Sequence, residues 1–533
     1  VNAMELNTTG AGNVAMGMSA LAANTTGNNN IGVGASAGQA ITTGSSNTAV
    51  GQNSLQATTT ASNNTAIGLN SLYTNTTGAS NVAVGMQAML DNTTGGNNVA
   101  VGKCALCDNT TGAQNIAIGT EALSKVTTTE NNTAVGHRAL CANTGSSNIA
   151  MGYQASRYAT SGNYNVSLGV DSRRDATTGS NNVAVGYQTL RESETASNNT
   201  AVGHEALKVN TTGAANTAMG SLASDAMTTG DNNVSVGYLS LSANTTAADN
   251  TAVGSNALRY NTTGASNTAV GVQALLNNTT ADNNTAVGRE SLCANTTGAG
   301  NSALGQSSLF KNTTGDQNTA LGRSALICNT TADNNTAVGF ESLRANTTGA
   351  ENTAIGSDSM LVSTTGCKNT FIGRNSGRDN TEGDENVAIG FNSGCQNTTG
   401  DNNAMIGNFA QSSSATVSNE FTLGNGSTNN LRCADTSISS LSDLRDKKNI
   451  EDIPHGLDYI LAMRPVKFDW DTRDGTREGK KDYGFIAQEL DQVEETFGNK
   501  EYTRLVSKEN PEQWETDPMK TYPILIKAIQ ELS

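Results

Sequence analysis

The segment NTAVGSNALRYNTTGAS, Asn250–Ser266, decides the fold, because it returns in slightly altered form along most of the chain. A glycine closes the apolar run TAVG at Gly254, and an equivalent glycine follows 17 residues later at Gly271. The same step links equivalent glycines from Gly17 to Gly424, except for one 16-residue step to Gly152, where CANTGSSN lacks a threonine. A fixed period this short predicts a solenoid or another stacked array.

Each repeat contains a strand pattern and a turn pattern. Before the glycine, β-branched residues alternate with alanine, as in Val82, Ala83 and Val84, and a period of two is typical of a β-strand. A second short strand is predicted after the glycine, around an Ala-Leu pair such as Ala257-Leu258. The NTTG segment predicts a turn, because glycine tolerates positive φ and Asn and Thr hydrogen-bond the local backbone. We therefore expect two short strands and two turns in each coil.

One coil is too small to be stable alone. Its three buried apolar side chains do not offset the conformational entropy lost by 17 ordered backbones. Hydrogen bonds between coils, stacking and contacts with neighbouring chains must supply the rest. Asparagine recurs at fixed positions of the repeat, so we expect ladders of asparagine side chains along the stack.

Composition and charge exclude several functions. Only 36% of the 533 residues are hydrophobic and 4% are aromatic, which is low for a conventional globule. The net charge of −16 disfavours nucleic acid and anionic membranes as partners. No apolar run approaches the ~20 residues that span a bilayer, so we expect no membrane insertion.

No cofactor or metal site is predicted. The pair Cys104-Ala-Leu-Cys107 has the spacing of half a zinc site, but no second pair follows at a suitable distance. Cys107 and Cys141 each lie five residues after a repeat glycine, so we interpret them as small apolar residues of the repeat. Groups such as Asp282-Asn283-Asn284 lack the pattern of calcium-binding repeats.

The composition changes at SLSDLRDKKNI, Ser440–Ile450, after which all five prolines and both tryptophans occur. We predict three regions: a repetitive shaft over residues 1–426, a polar neck and cleavage region over 427–442, and a compact domain over 443–533. The last is expected to be a small α/β domain that is mostly helical.

Local patterns predict the elements of this C-terminal domain. LDYILAM and Gly484–Phe497 have apolar residues at helical spacing, and VKFDW, Val466–Trp470, alternates as a strand does. The charged segment DTRDGTREGKKD is predicted as a loop or hairpin tip, and EYTRLV as a second strand. YPILIKAIQELS is predicted to begin a helix that enters a coiled coil.

The repeat resembles the head repeats of trimeric autotransporter adhesins, in which SVAIG-like segments build a parallel β-roll from three chains. The resemblance covers about residues 1–426 and implies a mainly β fold, a parallel β-roll or β-solenoid built as a homotrimer. Those repeats are commonly shorter, so a single-chain β-solenoid remains the alternative. A thin core of leucine and alanine favours coils that share a core between chains.

Three motifs stand in order in the C-terminal domain: S-D-L-R-D-K-K-N-I, L-x-x-I-L-x-M-R-P-V-x-F-x-W and G-F-I-A-Q-E-L. Together they resemble the C-terminal intramolecular chaperone of phage tail spikes and fibres, the self-cleaving endosialidase-type chaperone that is also found in myelin regulatory factor. The resemblance spans Leu441–Leu532. It implies that three such domains assemble the fibre and then release themselves by cutting at the serine of the SD pair.

Carried over to this chain, the resemblance makes Ser442 the nucleophile and Lys447 its base. A serine hydroxyl needs a base, and a lysine amine serves only when it is uncharged. Burial and nearby cations favour that form, and Arg445 and Lys448 are the candidate cations. Asp443, Arg445 and Asn449 match the motif and are expected to hold the loop. The alternative is that Ser442 and Asp443 cap a turn and Lys447 is solvated. The side of Ser442 that is cut stays open.

The G-F-I-A-Q-E element contributes four further candidates: Gly484, Phe485, Gln488 and Glu489. The resemblance implies contacts between subunits of the trimer and support for the loop. An ordinary helix start that packs on its own domain is the alternative.

The function expected from both resemblances is a structural and adhesive fibre of a phage or virus. Its partners would be two further copies of the chain, virion tail components and a receptor or glycan on the host cell, and it would reside in the virion. Self-cleavage is the one enzymatic activity expected. A bacterial surface adhesin with the same modules is the alternative; a glycan-degrading spike is disfavoured because the acidic residues are spread without a focus.

Overall fold

The computed structural model describes residues 2–428, 430–432, 442–472, 478–498, 500–508 and 514–533. The fold is mainly β, a parallel β-solenoid of about 24 turns followed by a short, mostly helical C-terminal region. The chain divides into two compact units, Val1–Ala332 and Asp333–Ser533. Residues 429 and 433–441 of the predicted neck lie outside the described residues, and the predicted domain boundaries stay a prediction.

The first unit contains nineteen strands of three residues among its described residues. They are β1 Val14–Met16, β2 Ile31–Val33, β3 Thr48–Val50, β4 Thr65–Ile67, β5 Val82–Val84, β6 Val99–Val101, β7 Ile116–Ile118, β8 Thr133–Val135, β9 Ile149–Met151, β10 Val166–Leu168, β11 Val183–Val185, β12 Thr200–Val202, β13 Thr217–Met219, β14 Val234–Val236, β15 Thr251–Val253, β16 Thr268–Val270, β17 Thr285–Val287, β18 Ser302–Leu304 and β19 Thr319–Leu321.

The second unit begins with the same architecture. Its coils contribute β20 Thr336–Val338, β21 Thr353–Ile355, β22 Thr370–Ile372, β23 Val387–Ile389, β24 Ala404–Ile406 and β25 Phe421–Leu423. The elements that follow are α1 Leu457–Ala462, β26 Val466–Asp469, β27 Lys481–Gly484, α2 Ala487–Phe497, α3 Lys500–Thr503, β28 Val506–Ser507, β29 Glu515–Thr516 and α4 Tyr522–Leu532. No helix of the described residues is long and apolar enough to cross a membrane.

The strand of each coil pairs in parallel with the strand of the next coil, residue for residue. In the pair β15–β16, Thr251 aligns with Thr268 and Ala252 with Ala269. Ala252 is fully buried, whereas Thr251 and Val253 are half-buried. The small central residue therefore points into the coil, and the β-branched residues on either side point outward.

The second strand predicted for each coil was wrong; among the described residues the Ala-Leu segment is a turn. Asn256 and Leu258 have φ of 57° and 49°, which is the left-handed region. Leu258 is fully buried, and its N–H donates to the Ala274 carbonyl of the next coil at 3.0 Å. These gains offset the roughly 1–2 kcal/mol that a left-handed conformation costs a non-glycine residue.

The predicted asparagine ladders are confirmed. The Asn267 backbone N–H donates to Asn250 Oδ1 in the preceding coil at 3.0 Å, and its side-chain amide donates to the Ala281 carbonyl at 2.8 Å. The Oδ1 of Asn267 accepts from the Asn284 backbone N–H at 2.9 Å. Asn250, Asn267 and Asn284 are fully buried, and Asn267 is bonded to the coils on both sides, so a polar interior is stable.

A second column of buried amides, the turn-asparagine column, runs through the NTTG turns. Asn278 donates to Asn261 Oδ1 in the preceding coil at 2.9 Å and to the Ala281 carbonyl of its own turn at 3.0 Å. Asn261 likewise donates to the Gly264 carbonyl of its own turn at 2.8 Å. The column therefore closes these turns and, where an amide also donates to the preceding amide, joins neighbouring coils.

The C-terminal elements pack around a small core of Tyr459, Leu490, Leu505 and Ile524. The strands β26 and β27 form an antiparallel hairpin in which Val466 pairs with Gly484. Because Gly484 belongs to this hairpin, the helix predicted over Gly484–Phe497 begins only at Ala487. Residues 473–477 of the predicted charged loop lie outside the described residues.

The strand predicted for EYTRLV was wrong. Helix α3 continues to Thr503, and extended pairing begins only at Val506. The cause is the fully buried carboxylate of Glu494, whose Oε1 accepts the Thr503 hydroxyl and the Leu505 N–H, both at 2.6 Å. This tertiary contact fixes a turn where local propensity favours a strand. The helices predicted over LDYILAM and YPILIKAIQELS are confirmed.

Stacking of glycine on glycine gives the first prediction. Gly254 has φ of 136°, and a Cβ there would lie 2.4 Å from the Gly271 carbonyl oxygen. We expect Gly254→Ala to destabilise the solenoid by about 2–4 kcal/mol in denaturant unfolding. Gly300, with φ of 67° and only a side-chain atom at 3.6 Å, is the control; Gly300→Asn should be neutral. Equal stability of both variants would contradict this account.

The Glu494 carboxylate gives the second prediction. Glu494→Ala removes the acceptor of the Leu505 N–H and of the Thr503 hydroxyl, so the free energy of unfolding of the C-terminal domain should fall by about 2–4 kcal/mol. Glu495→Ala is the control, because the Glu495 side chain is 63% exposed. Tryptophan fluorescence isolates this domain, since Trp470 and Trp514 are the chain's two tryptophans. A loss of the same size in both variants would rule out a special role for Glu494.

Candidate functional site

The loop Ser442–Asn449 folds around a cap made by Asp443. The Asp443 carboxylate accepts the Arg445 backbone N–H at 2.9 Å and so caps the 3₁₀ turn Leu444–Asp446, as aspartate commonly does. The Arg445 guanidinium also pairs with this carboxylate, with Nη2 2.6 Å from Oδ2. These hydrogen bonds from Arg445 lower the pKa of the Asp443 carboxyl and raise the pKa of Arg445. The S-D-x-R part of the motif is therefore a locally closed unit.

The turn returns Lys447 to Ser442. The Lys447 backbone N–H donates to the Leu444 carbonyl at 3.2 Å and closes the turn. Its Nζ then lies 2.6 Å from Ser442 Oγ and donates to it. The two residues that the resemblance assigns as nucleophile and base are thus in direct contact, and both are exposed in the single chain.

This contact has the geometry of an activated nucleophile. A base within about 2.6–3.2 Å of a hydroxyl can remove its proton as the oxygen attacks. Arg445, expected as a cation near the amine, instead directs its guanidinium to Asp443. The catalytic roles of Ser442 and Lys447 stay a prediction.

Asn449 ends the loop in a left-handed conformation, with φ of 54°, which asparagine tolerates better than most residues. It lies at the rim of a cleft of about 530 Å³ that is also lined by Pro454, Tyr459, Tyr502 and Ile524. The left-handed residue therefore directs the chain from the Ser442 loop toward the helical core.

The four candidates of the G-F-I-A-Q-E element have different surroundings. Gly484 ends β27, where a Cβ would lie 3.3 Å from the Phe468 ring. Phe485 packs partly buried against the core, and Gln488 is exposed in the first turn of α2. Glu489 pairs with Arg464, with Nε 2.9 Å from Oε2.

These surroundings agree with a helix start that packs on its own domain. The hydrogen bonds of the Ser442 loop given above join residues within the loop, and the ion pair of Glu489 joins the second and third motifs. Roles of Gly484, Phe485, Gln488 and Glu489 in contacts between subunits stay predictions.

Arg464 is a residue that sequence reasoning missed. Two of its guanidinium nitrogens contact the Glu489 carboxylate, and this hydrogen bonding lowers the pKa of Glu489. One indication in the sequence that Arg464 has a role is that it lies in the M-R-P-V segment of the second motif. A lone arginine is ordinarily solvated, so its pairing with a residue 25 positions away could not be deduced.

The described residues contain no cluster of three or more His, Cys, Asp and Glu side chains that could hold a metal ion. Two of the acidic side chains near the loop form ion pairs with arginine: Asp443 pairs with Arg445, and Glu489 pairs with Arg464.

Comparison with protein families identifies the C-terminal region. Residues 442–499 match the model of the family described as chaperone of endosialidase. The match begins at Ser442 and extends through the hairpin and α2. The chain thus carries a chaperone-of-endosialidase domain behind a β-solenoid, as the three motifs predicted. Searches of curated proteins and of solved structures found no match.

Proposed function

We propose that this chain is the subunit of a trimeric fibre. Its C-terminal chaperone domain brings three copies into register and then cuts itself from the shaft at Ser442. The observation that supports this most is the 2.6 Å contact between Lys447 Nζ and Ser442 Oγ. That contact is what a self-cleaving serine requires, and it lies at the first residue of the matched domain.

The cleavage step follows from the chemistry of the pair. An uncharged Lys447 accepts the hydroxyl proton while Ser442 Oγ adds to the carbonyl carbon of an adjacent peptide bond. The C–N bond breaks, and the proton passes from the lysine to the leaving nitrogen. Water then hydrolyses the ester, and the serine hydroxyl is restored. The reaction is single-turnover and intramolecular.

The exposure of the pair supports a fixed order of events. Burial favours the uncharged form of an amine, yet Ser442 and Lys447 are both exposed in the single chain. We infer that neighbouring copies cover the pair when three domains assemble. Cleavage would then follow assembly and leave the finished shaft without the domain that ordered it.

The outward face of the strands supports association of several shafts. The third residue of each solenoid strand β1–β25 is valine, isoleucine, leucine or methionine, and this outer aliphatic column is represented in β15–β19 by Val253, Val270, Val287, Leu304 and Leu321. Val270 is 36% exposed and Leu304 is 48% exposed. A partner that contacts such a column in the same way at every coil needs the same period, and a second copy of the chain has it.

Register is the problem that the chaperone domain would solve. Near-identical coils stack almost equally well when one chain is shifted by a whole coil. Pairing between distant residues is also slow and leaves edges exposed. Three C-terminal domains that associate first would align the chains before the shafts meet.

Helix α4 supports such association. Leu525, Ile529 and Leu532 are 40%, 58% and 70% exposed, and their spacing places them on one helix face. Ile524 and Ala528 occupy the buried face instead. The exposed face has the pattern of a helix that packs against copies of itself.

For the whole fibre, we propose a tail fibre shaft of a phage or virus that binds a receptor or glycan on the host cell and joins virion tail components. The chaperone domain and the solenoid support this role together. Antibodies against the shaft should label virions. Labelling of a bacterial cell surface instead would favour the adhesin, whose modules are the same.

The third prediction concerns cleavage. Ser442→Ala and Lys447→Met should each leave the full-length chain, because one removes the nucleophile and the other its base. The parent and Lys467→Met, the same change at an exposed lysine outside the loop, should release a fragment of residues 442–533 or 443–533. Intact mass after denaturation measures both outcomes and identifies the side of Ser442 that is cut. An uncleaved parent, or cleavage in Ser442→Ala, would refute self-cleavage at this serine.

The fourth prediction links cleavage to assembly. Ile529→Glu places a charge on the exposed face of α4, so the chain should lose its trimer in light scattering and remain uncleaved. Gln530→Glu adds the same charge one position away and should neither dissociate the trimer nor prevent cleavage. Rapid cleavage of a monomeric Ile529→Glu chain would show that the pair acts without neighbours.

A further inference from the structure

One coil of the first unit has a cation in its interior. Arg173 stands four residues after Gly169, where Leu258 stands after Gly254 in the typical repeat. It has the same left-handed backbone, with φ of 49°, and is 1% exposed. An arginine therefore occupies the position of the core leucine.

The residues around Arg173 also differ from those of the typical repeat. The turn-asparagine column is interrupted there, because Ala159, Ala176 and Ser193 stand in three successive coils where Asn usually stands. Arg173 Nη2 donates to the Gly179 carbonyl at 3.2 Å, the group that the turn asparagine binds in other coils. The guanidinium has therefore entered the asparagine column.

No carboxylate is bonded to this guanidinium. The neighbouring acid Asp175 pairs with Arg174 at 3.0 Å and with Arg191 at 3.5 Å, and Asp171 lies 3.9 Å from Arg174. The Nε and Nη1 of Arg173 have no hydrogen-bond partner among the protein atoms, and neither has the buried Ser193 hydroxyl one coil further on. Burial lowers the pKa of Arg173 to about 10, so the group stays positive at neutral pH.

The side chains around Arg173 are also smaller than those of the other coils. Ser156 replaces the core leucine of the preceding coil, and the asparagine positions hold alanine or serine. Together these replacements remove more atoms than Arg173 adds. In a second coil with serine at the leucine position, Ser224, the turn asparagine is replaced by the large apolar Met227, which is fully buried. The Met227 thioether fills the interior of that coil, whereas the interior around Arg173 presents hydrogen-bond donors.

We propose that Arg173 binds a small inorganic anion, such as chloride, inside the solenoid, with the Ser193 hydroxyl as a further donor. Buried charges in proteins are paired, and unpartnered N–H and O–H groups with no acceptor select an anion. The site is enclosed, so the ion enters while the coils stack and remains with them. Folding of this part of the shaft then depends on the anion.

Bromide is the direct probe, because its anomalous scattering identifies it. Crystals of the full chain grown in sodium bromide should give an anomalous peak within hydrogen-bonding distance of Arg173 Nε or Nη1. Ordered water alone at these atoms would overturn the proposal and make Arg173 a hydrated arginine.

Thermal unfolding gives an independent test. At equal ionic strength, the parent should unfold at a higher temperature in sodium chloride than in sodium gluconate, whose anion is too large to be enclosed. The variant Arg173→Leu with Ala176→Asn restores the typical repeat and should lose this difference. Arg289→Leu is the control, since the Arg289 side chain is 65% exposed, and should keep it. An equal difference in all three proteins would overturn the proposal.

Discussion

The asparagine ladder is the interaction on which the rest of the solenoid depends. Each coil is too small to form a core, so its groups must bond to the coils on either side. Asn267 does this in both directions, accepting from Asn284 and donating its backbone N–H to Asn250. Because such bonds need the same atoms at the same height in every coil, the sequence repeats with one period.

The same regularity removes information about register. A ladder in which each coil resembles the next stabilises many alignments of neighbouring chains equally. The coils that depart from the repeat, such as the 16-residue step before Gly152 and the coil of Arg173, are the exceptions that distinguish one alignment from another. They lie within a long run of typical coils, so a separate domain with a non-repetitive sequence is an effective way to set the starting point.

Sequence predicted the parts of the fold that depend on local pattern. Period, strand and asparagine ladder all follow from residues at fixed spacing. The sequence could not show that the Ala-Leu segment is a turn and not a second strand. The left-handed φ of Leu258 arises from burial and from a hydrogen bond to the next coil. The strand predicted over EYTRLV was wrong for a similar reason. The turn there depends on the buried Glu494, which lies on another element.

At the candidate site, the family resemblance paired Ser442 with Lys447, and a single turn brings the two side chains into contact. The partnership of Arg464 and Glu489 was beyond sequence reasoning, since it depends on how the hairpin and α2 pack. Motif resemblance identified the residues that matter in each segment but not their partners.

The local nature of the Ser442 loop bears on how cleavage is timed. Asp443 and Arg445 close the turn by themselves, and Lys447 already contacts Ser442, so the contact between the proposed nucleophile and its base needs no neighbouring copy. What a single chain lacks is a dry environment, because both reacting groups are exposed. In the proposed mechanism, local contacts position the two side chains, and activation of the amine is a separate step. Under the proposed mechanism, a second and third copy of the domain would exclude solvent from the pair when the chains come into register, and the uncharged form of the amine would then be favoured.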